Sequence, residues 1–269
     1  MMQKINEAIA YIRSQHSGTP QFGVILGTGL GALVNDIDIE TSISYEDIPH
    51  FPVSTVETHT GKLIFGKLGG KNVVVMQGRF HYYEGYSMKE VTFPVRVLKL
   101  LGIEKLFISN AAGGLNTNFE KSDLVIVNDH INLQYENPLT GPNLDELGSR
   151  FPDMSQPYDR NLIALGKKVA EQEGITVKEG VYVSVPGPNL ETKAEYKYLT
   201  IIGADCVGMS TVPEVIVACH MSLPVFTVSV ITDICYGELE PVDIADIIAA
   251  AAKAEPNMTK LIAKMIESL

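Results

Sequence analysis

The residues Phe22-Gly23-Val24-Ile25-Leu26 form a short apolar run, and Gly27-Thr28-Gly29-Leu30-Gly31-Ala32 follows it directly. An apolar run that ends in glycines is typical of a buried strand leading into a tight loop. Short apolar runs and helix-like patterns alternate from there to residues 242–269. This alternation predicts an α/β fold with a largely buried, mixed sheet.

The chain shows no repeat, low-complexity tract or linker, so we expect a single domain over residues 1–269. Residues 87–101 predict a helix in which Pro94 imposes a kink or a late start. Residues 132–157 are rich in Pro, Asn and Gly and are too long for a simple connection. Long ordered loops of this kind are often functional.

The net charge is −11, from 21 Lys and Arg against 32 Asp and Glu, and the basic residues are scattered singly. This argues against nucleic acid and anionic membranes, which require a concentrated positive surface, but allows a small anionic substrate. No apolar stretch approaches the ~20 residues that span a bilayer, and no signal-peptide pattern occurs at the start. Three cysteines, an odd number without CxxC spacing, favour a reducing compartment. We therefore expect a cytoplasmic protein.

The glycine loop at 27–32 matches the G-x-G-x-x-(G/A) pattern of dinucleotide-binding proteins, with Glu46 and Asp47 at a suitable distance. Residues 33–40 are short and acidic, however, and leave little room for the helix that such a unit needs. The loop alone is therefore compatible with a dinucleotide, another phosphate or a structural turn.

A second candidate, Gln77-Gly78-Arg79-Phe80-His81-Tyr82-Tyr83-Glu84-Gly85, also follows a predicted strand. Arg79 and His81 are two residues apart, so in an extended backbone they project to the same side. Arginine offers phosphate a fixed fork of donors, and a nearby imidazole can carry a proton. The cluster favours a functional site over a solvated Arg and a hydrogen-bonded His.

Three further stretches combine small residues and rigid turns near predicted strand ends: Ser109-Asn110-Ala111-Ala112-Gly113-Gly114, Val185-Pro186-Gly187-Pro188-Asn189-Leu190-Glu191 and Val207-Gly208-Met209-Ser210-Thr211-Val212-Pro213-Glu214. The first predicts a tight turn or a set of N–H donors for an anion. Ser210 precedes a predicted helix, where it would serve an anion site or a plain N-cap. The histidines and cysteines have no zinc-ligand spacing, so we expect no metal.

Together and in order, these stretches resemble the trimeric, low-molecular-mass purine nucleoside phosphorylases, which are related to methylthioadenosine phosphorylases. His59-Thr60-Gly61, Asp129-His130-Ile131-Asn132 and Arg150-Phe151-Pro152 fit the same family. The resemblance implies one α/β domain with a mixed, partly barrel-like sheet flanked by helices. It also implies a homotrimer in purine salvage with no metal or organic cofactor. Inorganic phosphate would be the co-substrate, attacking C1′ of a purine nucleoside to give free base and ribose 1-phosphate.

The same resemblance assigns roles by motif. Phosphate would be bound by Thr28, His59, Arg79, His81, Ala111 and Ser210. The nucleoside would be bound by Tyr83, Leu190, Glu191, Met209, Asp233 and a Phe151 that reaches into a neighbouring subunit's site. The catalytic residues would be His81, Glu191 and Asp233. Polar groups aimed at the leaving base and an anion below the sugar would both stabilise an oxocarbenium-like transition state.

Asp233 departs from the 6-oxopurine-specific members, which have asparagine there. An ionised aspartate only accepts hydrogen bonds, which suits a 6-amino group or a protonated N7. A protonated Asp233 would still serve hypoxanthine, and Glu191 nearby would raise one pKa of the pair. Leu190 replaces an aromatic residue, and Asp243 or Ile244 replaces the histidine near the 5′-hydroxyl. We therefore expect better use of adenine nucleosides, including 5′-modified ones, than in 6-oxopurine-specific relatives.

Three alternatives stay open. A methylthioadenosine- or adenosine-preferring phosphorylase is the nearest. A dinucleotide-binding oxidoreductase would explain the glycine loop but leave the motifs around Arg79, Asn110 and Ser210 unexplained. A non-catalytic nucleoside-binding protein would explain Asp233 and the altered 5′ region.

Overall fold

The computed structural model describes residues 1–27, 30–53, 60–238 and 243–269, and within these ranges nine strands form one mixed sheet. The strands are β1 (Phe22–Leu26), β2 (Asp38–Ser44), β3 (Lys62–Leu68), β4 (Lys71–Gln77), β5 (Lys105–Gly114), β6 (Leu124–Asn132), β7 (Val177–Ser184), β8 (Cys206–Gly208) and β9 (Val225–Ile234). The helices are α1 (Met2–Gln15), α2 (Met88–Val91), α3 (Phe93–Leu101), α4 (Arg160–Glu173), α5 (Lys193–Ile201), α6 (Val212–His220) and α7 (Ile244–Glu267).

Five of the strands close into a barrel. The order along the sheet is β2-β3-β4-β1-β5-β8-β7-β6-β9, and β9 also pairs with β5. The ring therefore consists of β5, β8, β7, β6 and β9, while β1 to β4 extend it as an open sheet. Strands β4, β1, β5 and β9 run parallel, so their carboxyl ends meet at one edge. The predicted α/β fold with a mixed, partly barrel-like sheet is confirmed.

Helices cover both faces of the sheet because successive strand residues are apolar on both sides. In β1, Val24 and Leu26 belong to one buried cluster, whereas Ile25 belongs to the other. The first cluster includes apolar side chains of α4 and α7, and the second includes those of α1, α3 and α6. Among the described helices, none is both long and apolar enough to cross a membrane.

Two predicted segments take a different form. Residues 87–101 are divided at Thr92 into α2 and α3, and Pro94 lies in the first turn of α3, where its missing N–H breaks no helical hydrogen bond. The tight turn considered for Ser109 to Gly114 is wrong, because these residues continue β5 and pair with β8 and β9. Small residues suit this place because a Cβ on Gly114 would lie 2.9 Å from Ile231 Cγ2.

Candidate active site

A cavity of about 170 Å³ lies where the carboxyl ends of β4, β5, β8 and β9 converge. Nine of the predicted site residues line it: Arg79, His81, Tyr83, Ala111, Leu190, Glu191, Met209, Ser210 and Asp233. The other lining residues are Asn110, Ala112, Gly113, Val207, Gly208, Thr232 and Ile247. Segments that are far apart in the chain thus meet in one place.

The remaining predicted residues lie elsewhere or outside the described part of the chain. Thr28 and His59 fall outside the described residues. Phe151 is 87% exposed and borders a separate surface cavity, so its assigned role in a neighbouring subunit stays a prediction. The side chain that α7 adds to the central cavity is Ile247, about one turn beyond the expected Asp243 or Ile244, which are both exposed.

A buried cation lies at one end of the cavity. Arg79 is 1% exposed, and its Nε and Nη2 donate to the two carboxylate oxygens of Glu214 at 3.2 and 3.1 Å. Its Nη1 donates to the Ser109 carbonyl at 2.8 Å and to Ser210 Oγ at 3.3 Å. This two-point pairing fixes the guanidinium plane, so Arg79 presents a preorganised charge to an anion.

The backbone next to Ser210 has an unusual conformation. Thr211, immediately before α6, has a φ of 71°, which is costly for a β-branched residue. Its Oγ1 accepts a hydrogen bond from Asn110 Nδ2 at 2.9 Å and lies 3.2 Å from Ser210 Oγ. The turn leaves Ser210 in the cavity wall while α6 begins directly behind it, and a helix N-terminus favours an anion.

His81 and Glu84 form a buried pair beside Arg79. His81 Nδ1 lies 3.0 Å from Glu84 Oε1, which also accepts the His81 backbone N–H at 2.7 Å. Burial lowers the pKa of His81, although its hydrogen bond with Glu84 opposes that shift. A neutral His81 that donates from Nδ1 carries a lone pair on Nε2, so it can accept a proton. The Tyr83 ring stacks on the imidazole with a centroid distance of 4.6 Å.

Two carboxylates lie at the other end of the cavity. Asp233 Oδ1 accepts a hydrogen bond from Thr232 Oγ1 at 2.9 Å, and Oδ2 accepts one from Cys235 Sγ at 3.4 Å. Burial raises the pKa of Glu191, and the negative charge of Asp233 raises it further. The expected coupling of the two carboxyls therefore appears as a raised pKa of Glu191.

Comparison with known proteins agrees with this geometry. Residues 21–267 match the family model of the phosphorylase superfamily. Purine nucleoside phosphorylase 1 of Bacillus subtilis (strain 168) is 48% identical over 267 residues, covering 99% of this chain and 98% of that protein. The chain belongs to the phosphorylase superfamily and, within it, to the purine nucleoside phosphorylases. The family predicted from the sequence motifs is confirmed.

Two solved purine nucleoside phosphorylases have closely similar folds. The Schistosoma enzyme in complex with hypoxanthine and the Schistosoma mansoni enzyme in complex with adenosine both give a TM-score of 0.94 at 43% identity. Each match covers 100% of this chain and 98% of the other. A dinucleotide-binding unit has no support, because a five-residue 3-10 helix, Ala32–Asp36, follows the glycine loop where that unit needs an α-helix.

The structure adds residues to which the motif reading gave no role. Glu214 closes one of the quoted stretches, but only the fold brings it onto Arg79. Asn110 is 1% exposed, and its Oδ1 has no hydrogen-bond partner within the described ranges, so it is an acceptor available to a bound ligand. Thr232 and Cys235 flank Asp233, and no residue type or spacing in the sequence indicates their contacts with it.

Proposed function

We propose that this chain catalyses the reversible phosphorolysis of purine ribonucleosides and deoxyribonucleosides in purine salvage, giving free base and the pentose 1-phosphate. The proposal rests on how charged and polar groups are distributed in one cavity. Arg79 and Ser210 lie at one end, and Glu191 and Asp233 lie at the other. A cation-and-donor end suits phosphate, and a carboxylate end suits the N–H groups of a purine.

The two ends of the cavity suit the two halves of a phosphorolysis reaction. Arg79, Ser210 and His81 hold phosphate below the sugar, with Thr28, His59 and Ala111 assigned to the same task by motif. A phosphate oxygen attacks C1′ as the bond from C1′ to the purine N9 breaks, and the bonding electrons leave with the base. Fixing the nucleophile removes an entropic cost, and its charge stabilises the cationic sugar. Glu191, with its raised pKa, is suited to share a proton with the departing base.

Asp233 favours adenine nucleosides within this reaction. Two donors, Thr232 and Cys235, already meet its carboxylate, and such donors stabilise the ionised form. An ionised Asp233 offers only acceptors, which complement a 6-amino group and not a 6-oxo group. Ile247 gives the α7 wall an apolar side chain, which favours a methylthioadenosine-preferring enzyme as the second candidate.

The same proposal covers assembly and cell location. A homotrimer with Phe151 near a neighbouring site would cover a large aromatic ring that is 87% exposed in the single chain. Light scattering would show the mass of three chains. Cys206, Cys219 and Cys235 are all free thiols, which suits the cytoplasm. Phosphate is the only co-substrate of the reaction proposed, with no metal, organic cofactor, nucleic acid or membrane involved.

The test is turnover of inosine, guanosine, adenosine and methylthioadenosine, each with and without phosphate. We expect phosphate-dependent base release, with adenosine cleaved at least as well as inosine. Efficient cleavage of inosine with adenosine untouched would refute the argument from Asp233. Nucleoside binding without release would support the non-catalytic alternative, and Arg79→Met, which removes the proposed phosphate contact, provides a catalytically impaired control.

A further inference from the structure

We propose that Cys235 is a positioning residue that holds the Asp233 carboxylate from behind the cavity and sets the preference between 6-amino and 6-oxo purines. In this arrangement Cys235 donates its S–H to Asp233 Oδ2. The proposal rests on the function proposed above and concerns how the base end of the same cavity selects its ligand.

A bulge in β9 brings the Cys235 thiol onto Asp233. In the pairing of β5 with β9, Ala112 lies opposite Ile231 and Gly113 lies opposite Asp233, so Thr232 is an extra residue. Bulges next to active sites re-aim side chains. Asp233 consequently faces the cavity, while Cys235 is 5% exposed behind it, with Sγ 3.4 Å from Asp233 Oδ2.

Gly113 makes the space for this contact. A Cβ at Gly113 would lie 2.6 Å from Cys235 Sγ and 3.1 Å from Asp233 Oδ2. A distance of 2.6 Å is below any ordinary van der Waals contact, so a side chain here would displace the thiol from the carboxylate. The absence of a side chain at Gly113 and the bulge in β9 therefore together allow the contact between Cys235 and Asp233.

Tyr196 belongs to the apolar cluster that surrounds the thiol. It lies on α5, is 6% exposed and packs in a small apolar cluster with Cys235, Leu199 and Val207. Burial raises the pKa of Cys235, so the thiol keeps its proton and remains a donor.

The arrangement has a consequence for base choice. The thiol on Oδ2 and the Thr232 hydroxyl on Oδ1 together stabilise the ionised Asp233 carboxylate beside Glu191. Without the thiol, Asp233 takes up a proton more readily, and a protonated carboxyl can donate to a 6-oxo group. Loss of one hydrogen bond to a charged group therefore moves preference from adenine towards hypoxanthine by about tenfold.

The experiment compares Cys235→Ala and Cys235→Ser with Cys219→Ala. The Cys219 thiol donates to the Pro157 carbonyl away from the cavity, so its loss removes one S–H elsewhere. Two ratios are measured: the dissociation constants of adenine and hypoxanthine by calorimetry, and kcat/KM for adenosine and inosine. The pH profile of kcat/KM for adenosine is recorded for each variant.

We expect both ratios to move about tenfold towards the 6-oxopurine in Cys235→Ala. The acid limb of the pH profile should move to higher pH in that variant, Cys235→Ser should restore most of the ratio, and Cys219→Ala should match the parent. A purely structural role would weaken both bases equally. Unchanged ratios in folded Cys235→Ala, or no binding of either base to the parent, would overturn the proposal. Base binding without phosphorolysis would refute only the proposed function, since the calorimetric ratio still tests the positioning.

Discussion

Arg79 and Glu214 show how one chain of net charge −11 builds a local site for an anion. Both side chains are nearly inaccessible, at 1% and 3% exposed, and meet through two parallel hydrogen bonds. Burying two charges costs more than a surface pair does, so the pair is poor evidence of stability for its own sake. The pair instead fixes the orientation of Arg79, because a guanidinium held by Glu214 keeps its direction when phosphate binds.

Replacement of Arg79 separates the effect of the Arg79–Glu214 pair on stability from its effect on phosphate binding. Arg79→Met leaves the Glu214 carboxylate buried without its guanidinium, and we expect the free energy of unfolding to fall by about 3 to 5 kcal/mol. Arg79→Met combined with Glu214→Met should recover most of that loss but not phosphate-dependent turnover. Urea unfolding and the KM for phosphate measure the two quantities. Recovery of turnover in the double variant would show that Arg79 acts only through packing.

At the scale of elements, Gly27, the first glycine after β1, lies directly on β5. Gly27 N donates to Ser109 Oγ at 3.3 Å, and a Cβ at Gly27 would lie 2.8 Å from both Ser109 O and Asn110 Cα. Those neighbours are backbone atoms of a central strand and have little freedom to move. At least one glycine of the motif is therefore needed for close contact between loop and strand, whatever ligand the loop binds.

Gly27→Ala and Gly31→Ala form a matched pair that tests this contact. We expect Gly27→Ala to lower the free energy of unfolding by about 1 to 3 kcal/mol and to reduce kcat/KM, because it displaces β5 beside Asn110. Gly31→Ala should stay within about 0.5 kcal/mol of the parent, because among the described residues its Cβ would meet only Gln77 Nε2, at 3.9 Å. Equal losses in the two variants would contradict the steric explanation.

Sequence periodicity predicts the elements well where one residue pattern governs a segment. The pattern of residues 161–173 predicts a helix and that of residues 225–231 predicts a strand, and α4 (Arg160–Glu173) and β9 (Val225–Ile234) are found there. The pattern fails at Ser109 to Gly114, because small residues indicate a turn unless the side chains of a neighbouring strand are known. It also misses the three-residue β8, which exists through its pairing with β5 and β7.

Some residues of the candidate site are indicated by their neighbours in the sequence, and others are not. Arg79, His81 and Ser210 stand beside glycines at strand ends, so local chemistry indicates them. The neighbours of Glu214 and Cys235 in the sequence do not indicate a site. Only the fold places Glu214 against Arg79 and Cys235 against Asp233. Motifs therefore predict groups that touch a ligand, whereas the groups that hold them depend on contacts between distant segments.

At the scale of the whole molecule, closure of the five-stranded ring forms the cavity. The pairing of β9 with both β5 and β6 brings residues 110–113 next to residues 232–233. The parallel β4 and β5 place the ends that carry Arg79 and Asn110 at the same edge. Ligand sites in α/β sheets commonly lie beyond the carboxyl ends of the strands, and here one barrel edge carries both ends of the proposed substrate site.

The whole molecule should also be sensitive to acid, because the partly buried His130 gains a proton when the chain unfolds below pH 6.5. Burial lowers the pKa of His130 from 6.5 to about 4, and Tyr158 Oη lies 3.1 Å from its Nδ1. Between these values the unfolded chain binds a proton that the folded chain does not. The contribution of His130 to stability is therefore complete above pH 6.5 and is lost as the pH falls towards 4, by about 3 kcal/mol. Urea unfolding of the parent and of His130→Gln measures this contribution. The difference between their free energies of unfolding should be largest at pH 7 and smaller by about 3 kcal/mol at pH 4. Curves that stay parallel across this range would show that His130 does not titrate on unfolding.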